Sequence, residues 1–341
     1  MAVAHWSWMF SDESSTILNQ IGWTFPSLGS VSDAYLYSYP GDAQRLAGKR
    51  RSINCRSGYT LSGIAGKAPN SGSYSVPVYF STTPNTNDII YIGAAGGSTI
   101  SAKGISATSV GLYMGGVLKE TVSGLSLQSN WNYITLKYDV TTNPWSARIY
   151  INGSGSNVTH TAANAADSIE NFYMKGAAGF YDTYFGQVAF HSDWVDTEQI
   201  RYVSRLNPTV DTSASGTWTP STGTDNFAVV SGSFSSAQYT ENSGSSIGNN
   251  VILKVSGAAG LTTQLGTSPS AIDGITAHCW VSGSGQVGFT AVSNNSTNWS
   301  NGTSITPSSV ATYGYATAAT QPSDSSAWTS GSDLYIKYEV G

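Results

Sequence analysis

The chain has 341 residues, of which 10% are charged, 12% aromatic and 40% hydrophobic. That is about two average domains with apolar material for a core in each, and the aromatic content excludes a disordered chain. The net charge of −5 is uneven: up to Arg205 there are 13 Lys+Arg and 13 Asp+Glu, and from Leu206 onward 2 and 7, which excludes a globally basic nucleic-acid binder.

The opening MAVAHWSWMF has neither the charged n-region nor the continuous apolar run of a secretory signal. No apolar stretch approaches the roughly 18 residues of a membrane span, so the expectation is synthesis in a cytoplasm and no membrane partner. Ala4, Trp6, Trp8 and Phe10 alternate on one face of a first strand. Tyr74, Val76, Val78 and Phe80 do the same in YSVPVYF, where Pro77 predicts an edge strand. GLYMGGVLKE reads as a hairpin around Gly115-Gly116, because two glycines supply positive φ without steric cost. WNYITLKYD places Ile134, Leu136 and Tyr138 on one face, and the return ARIYING ends in the Asn152-Gly153 turn signal. DTEQIRYV is the best helix signal, with Asp196 as cap and Gln199 at the capping-box position.

RLNPTVDTSASGT reads as a linker, since Pro208 and small polar residues break any pattern, and the boundary is placed after residue 206. Beyond it come VILKV (251–255), TAHCWV (276–281), VGFTAV (287–292) and DLYIKYEV (333–340). Many short strands with polar turns and no βα alternation predict an all-β chain of two β-sandwich (jelly-roll-like) domains in tandem, 1–206 and 207–341. Cys55 and Cys279 fall in different halves, and neither a disulfide framework nor zinc-ligand spacing follows from them.

WNYITLKYDVTTNPWSARIYINGS, followed by FGQVAFHSDWVDTEQIRYV, resembles the strand pair and closing strand of laminin-G-like, concanavalin-A-like jelly rolls. That resemblance implies a two-sheet sandwich with ligands on rim loops or the concave face. SAQYTENSGSSIGNNVILKVSG and YGYATAATQPSDSSAWTSGSDLYIKYEV resemble β-sandwich modules of phage virion structural proteins, through Gln321-Pro322 and Ala327-Trp328-Thr329. The two resemblances together imply a non-enzymatic virion protein displayed on a phage particle, as capsid decoration, head fibre or tail appendage. Its partners would be other virion subunits and a host surface glycan, and its expected state is a homo-oligomer, with a trimer the expectation of that class. The alternatives are a carbohydrate-binding module of a cell-surface protein and a glycanase.

Catalytic constellations are weak in the sequence. The Glu-X-Asp-X-X-Glu strand of concanavalin-like glycanases is absent, and Asp193, Asp196 and Glu198 read as the capped start of a short helix. His5, His160, His191 and His278 each stand alone, and IGAAGGS (92–98) lacks the Lys of a phosphate cradle. No cofactor is expected. Calcium is the one ion the laminin-G resemblance suggests; Asp139, Asn152, Asp167 and Asp182 are the residues near rim loops, but no Asp-rich run concentrates charge.

Two sets of binding residues stand out. Arg45, Lys49, Arg50, Arg51 and Arg56 form a basic cluster. It reads either as a solvated edge strand protected by its charge or as a docking patch for an acidic partner; nucleic acid is not expected, as no aromatic platform accompanies it. Asn143 with Trp145, and Asn298 with Trp299, are the candidate glycan or receptor contacts, because a sugar ring stacks on an indole while amides bond its hydroxyls.

Overall fold

In the computed structural model the described residues are 4–8, 22–24, 53–55, 58–84, 88–155, 158–176, 183–192, 206–216, 218–224, 226, 240–242, 246–261, 271–283, 286–308 and 312–341. The elements with defined bounds among them are all strands, Asn226 alone being helical, and they fall into two compact units, one holding the first fifteen strands and the other the last nine.

The first unit contains β1 (Ala4–Trp8), β2 (Ile53–Asn54), β3 (Thr60–Ser62), β4 (Ser71–Phe80), β5 (Asp88–Ala94), β6 (Thr99–Ser106), β7 (Ser109–Met114) and β8 (Val117–Ser123). It continues with β9 (Trp131–Asp139), β10 (Trp145–Ile151), β11 (Ser154–Gly155), β12 (His160–Ala162), β13 (Ile169–Lys175), β14 (Thr183–Phe185) and β15 (Val188–His191). A nine-stranded sheet runs β1-β15-β4-β9-β10-β11, with β12 also on β10 and β14 bridging β4 and β2. A six-stranded sheet runs β3-β13-β5-β6-β7-β8. The two tight turns form where the residue types demand: Gly115 and Gly116 have φ of 56° and 80°, and Asn152 and Gly153 have 54° and 78°.

These sheets face each other over one apolar core. Tyr74, Val76, Val78 and Phe80 of β4 and Ile134, Leu136 and Tyr138 of β9 come from one side. Ile90 and Ile92 of β5, Ile100 of β6, and Phe172 and Met174 of β13 come from the other. Phe172 is the hub, its ring centre 5.5 Å from Tyr74, 4.8 Å from Phe190 and 5.9 Å from Trp6, all on the opposing sheet. Each such ring contributes about 1.5–3 kcal/mol through burial. Gly63 is required beside it, since a β-carbon there would collide with the Phe172 ring. The two core phenols are satisfied: Tyr74 donates to Tyr173 O at 3.2 Å and Tyr138 to Pro69 O at 3.0 Å. Burial pushes both phenols above their ordinary range.

Pro77 does not mark an edge. β4 lies inside the sheet, between β9 on one side and β14 and β15 on the other. Pro77 O accepts from Gly186 N at 3.0 Å, in the break between β14 and β15. The proline's missing N–H therefore falls where the partner strand changes over, which is where a central strand tolerates it.

The second unit contains β16 (Val210–Ser215), β17 (Trp218–Pro220), β18 (Thr240–Asn242), β19 (Asn250–Lys254), β20 (Ile275–Val281), β21 (Gly288–Ser293), β22 (Ser300–Asn301), β23 (Thr312–Ala318) and β24 (Tyr335–Val340). A five-stranded sheet runs β16-β19-β24-β21-β22, and β20 pairs with β23 as a separate ribbon. Val255, Leu261, Ala277, Val292, Ala316, Ala318, Trp328 and Leu334 form a core between ribbon and sheet. Trp328 Nε1 donates to Ala318 O at 3.0 Å, so its burial leaves no unmet donor.

The linker expectation is overturned from Val210 onward. Residues 210–215 form edge strand β16, paired with β19. Asp211 is half-buried and its five strand neighbours are exposed, so no alternation announces the strand; main-chain pairing alone defines it. DTEQIRYV lies outside the described residues.

Candidate functional site

The sequence-predicted residues do not converge. Arg45, Lys49, Arg50, Arg51 and Arg56 lie outside the described residues, as does Asp182. Trp145 is a core residue and not a glycan platform: it is 1% exposed, with Nε1 donating to Ala165 O at 2.7 Å. At the first position of β10 its side chain takes the inward phase with Ala147, Ile149 and Ile151. Asn143 is exposed in the turn before it. In the second unit Asn298 is exposed, with its N–H donating to Asn295 Oδ1 at 2.9 Å. Trp299 is half-buried, and Lys337 Nζ lies 4.7 Å from its ring centre.

Three of the four residues suggested for calcium, Asp139, Asn152 and Asp167, accept hydrogen bonds from main-chain N–H groups. Asp139 Oδ1 accepts from Thr141 N and Oγ1, and Asp167 accepts from Gly96 N and Ser168 N. Asn152 Oδ1 accepts from Tyr133 N at 2.7 Å, stabilising its turn. Among the described residues no group of three or more His, Cys, Asp or Glu is placed to hold a metal ion. Two histidines have partners that sequence spacing did not show. His160 Nε2 lies 2.9 Å from Glu120 Oε2, tying β12 to β8 across the two sheets, and His278 Nδ1 lies 2.6 Å from Tyr313 OH.

What the fold does assemble is a row of tyrosines on the outer face of the six-stranded sheet. Strand pairing sets Ser62, Tyr173, Tyr91, Ser101 and Tyr113 side by side, from β3 across to β7. Tyr91 and Tyr173 stack with ring centres 4.4 Å apart and planes 13° from parallel. Tyr113 stands on the far side of Ser101, with Lys103 Nζ 4.9 Å from its ring centre. All three tyrosines are half-buried.

Glycines shape this surface. A β-carbon at Gly93 would come within 3.2 Å of Tyr173 Cε2, and one at Gly111 within 2.9 Å of Tyr113 Cε2. The rings therefore lean over bare backbone. Such a face offers aromatic surface for stacking, phenol hydroxyls for hydrogen bonds, and little side-chain entropy to lose on binding, with Ser101 buried between the rings. A sequence signal existed: Tyr91, Tyr113 and Tyr173 each stand between two buried apolar residues, Ile90 and Ile92, Leu112 and Met114, Phe172 and Met174. Strand alternation turns each of them outward.

No family model matches the chain, and no curated protein matches it. Among solved structures with partial likeness, the apo Crh5 transglycosylase is 11% identical, covering 58% of this chain and 90% of that one, with a TM-score of 0.36. Domain 4 of AbnA, a GH43 extracellular arabinanase from Geobacillus stearothermophilus in complex with arabinotriose, is 14% identical, covering 56% and 93%, at 0.35. Peanut lectin with a nine-residue peptide is 13% identical, covering 55% and 97%, at 0.33. Scores this low leave the fold assignment resting on the strand order and pairing described above.

Proposed function

We propose that this chain is a non-enzymatic recognition protein that binds carbohydrate through the outer face of the six-stranded sheet. The observation that carries the reading is the Tyr173–Tyr91–Ser101–Tyr113 row, with its stacked pair and glycine-backed rings. Pyranose faces stack on such rings while their hydroxyls bond the phenols. A glycan array probed with the full chain tests it. Binding that is lost in Tyr113→Ala and Tyr173→Ala and kept in Trp299→Ala supports this face; binding lost only in Trp299→Ala moves the site to the second unit. Release of reducing ends from a bound polysaccharide would contradict the non-enzymatic part.

The setting we propose is a phage particle, with the chain as a surface-displayed structural subunit acting by assembly and adhesion. Its support is the resemblance of SAQYTENSGSSIGNNVILKVSG and YGYATAATQPSDSSAWTSGSDLYIKYEV to virion modules, together with a low charge content suited to packed assemblies. In this reading the partners are other virion subunits, a homo-oligomer forms, and the glycan belongs to the host surface. Immunogold labelling of purified particles checks the setting. A chain found only on cell surfaces would favour the cell-surface carbohydrate-binding alternative.

A further inference from the structure

The tyrosine row continues past Tyr113. That residue is paired with Leu118 of β8, so the row reaches the last strand of the six-stranded sheet and ends on an aliphatic side chain. Leu118 is 47% exposed. A β-carbon at Gly111 would come within 2.7 Å of Leu118 Cδ1, 2.8 Å of Ile105 Cδ1 and 2.9 Å of Tyr113 Cε2, so these three side chains converge above bare main chain. Thr121, paired with Gly111 and exposed, stands beside them on the same face.

A lone exposed leucine is ordinary, but one continuous with an aromatic surface marks a contact. The contact is with a strand of another chain or with a ligand on the face. β8 is poorly shaped for the first. Its pairing with β7 shifts register between Leu112 and Tyr113 and leaves Lys119 as an extra, bulged residue. A bulge and a lysine are both devices by which an edge strand resists pairing with a second chain. On the face itself, Leu118 stands one strand spacing from Tyr113, about 4.8 Å. A sugar stacked on Tyr113 therefore carries its ring substituents over Leu118 and Thr121. A hydroxyl held against the leucine would lose its water without gaining a partner, whereas a methyl group there is sheltered from water.

We propose that the tyrosine face reads an acetyl group on its glycan, N-linked or O-linked. The acetyl methyl rests on Leu118 and the acetyl carbonyl oxygen accepts from Thr121 Oγ1. This rests on the carbohydrate reading above and adds the chemistry of the ligand to it. The two parts of an acetyl group, an apolar methyl and a hydrogen-bond acceptor, match the two side chains that β8 presents. Both side chains are exposed, so the contact forms on open surface.

The test is a glycan array of matched pairs, each glycan printed with and without one N- or O-acetyl group, probed with the full chain. The acetylated member binds about tenfold more tightly, about fourfold from one sheltered methyl and the rest from one hydrogen bond. Preference in the N-acetyl pairs, the O-acetyl pairs or both supports the proposal and identifies the linkage. Leu118→Ser lowers the ratio within a pair to about three, Thr121→Val lowers it to about four, and the double variant to about one. Both positions are exposed, so the variants keep an unfolding midpoint close to that of the wild type. A wild-type ratio of one, or a ratio kept in the double variant, overturns this proposal; the tyrosine face then stands as a glycan site if Tyr113→Ala still abolishes binding. Binding untouched by Tyr113→Ala overturns the carbohydrate reading of the face and this proposal with it. A ratio kept in Leu118→Ser together with a lower mass in light scattering assigns the leucine to a contact between copies, and also overturns it.

Discussion

The two outer faces of the first unit are built from similar residues and meet water differently. On the six-stranded sheet, Tyr91, Tyr113 and Tyr173 remain half-exposed. On the nine-stranded sheet, Tyr133, Lys137 and Tyr150 occupy equivalent outward positions and are 6%, 1% and 3% exposed. β13 alternates in burial as its sequence alternates, whereas β9 is buried on both sides through seven consecutive residues. Alternation of apolar and polar residues thus identifies which side of a strand a residue takes, and leaves open whether that side is wet.

The strongest way to break the comparison is to remove the core that both faces share. Phe172→Ala should cost about 3–5 kcal/mol in urea unfolding, because its ring joins Tyr74, Phe190 and Trp6 across the sheets. A loss under about 1 kcal/mol would mean the sheets do not share one core. Next comes a matched pair of lysines. Lys137→Ala on the covered face should cost about 2 kcal/mol or more through lost packing, while Lys103→Ala on the open face stays within about 0.5 kcal/mol. Equal effects would erase the distinction between the faces.

A titration extends the contrast to covered and water-facing ionisable groups. Burial pushes the Cys55 thiol up to about 12, with a hydrogen bond from the Leu61 backbone partly opposing it. The folded state therefore favours the neutral thiol. The stability this gives is fully present below the ordinary value of 9.0 and is lost as pH rises from there toward 12. Cys55→Ala should lose less stability than the parent over that interval, and identical alkaline profiles would place the thiol in contact with water.

The smallest effect belongs to Lys254 and Asp333, 2.9 Å apart and partly exposed. Burial raises the Asp333 carboxyl, but hydrogen bonds from Lys254 and Ser256 and the Lys254 charge together hold it below its ordinary value. The contribution is present above pH 3.8 and lost as pH falls through the lower folded value. Lys254→Met should change stability at neutral pH by no more than about 1 kcal/mol, and less in high salt.

Much of this architecture was legible in the residues. Gly115-Gly116 and Asn152-Gly153 are local signals, and both turns form where they stand. The failures share a cause in long-range pairing. Pro77 looked like an edge because its tolerance depends on the break between β14 and β15, far along the chain. β16 was invisible because an edge strand with five exposed residues has no apolar phase to display. Trp145 reads as a candidate glycan contact, since nothing local shows that Ala165 O accepts its indole N–H inside the fold. The tyrosine row was half legible: outward direction follows from Ile-Tyr-Ile and its counterparts, but the juxtaposition needs the order β13-β5-β6-β7.

Hydroxyl-radical footprinting of the full chain, with and without the glycan selected on the array, bears most directly on the contrast between the faces. Tyr91, Tyr113 and Tyr173 should be oxidised in the unliganded protein and protected when the glycan is added, while Tyr133 and Tyr150 stay unmodified in both. Oxidation of Tyr133 and Tyr150 at the rate of the other three, or no glycan-dependent protection of Tyr113 and Tyr173, would contradict the account.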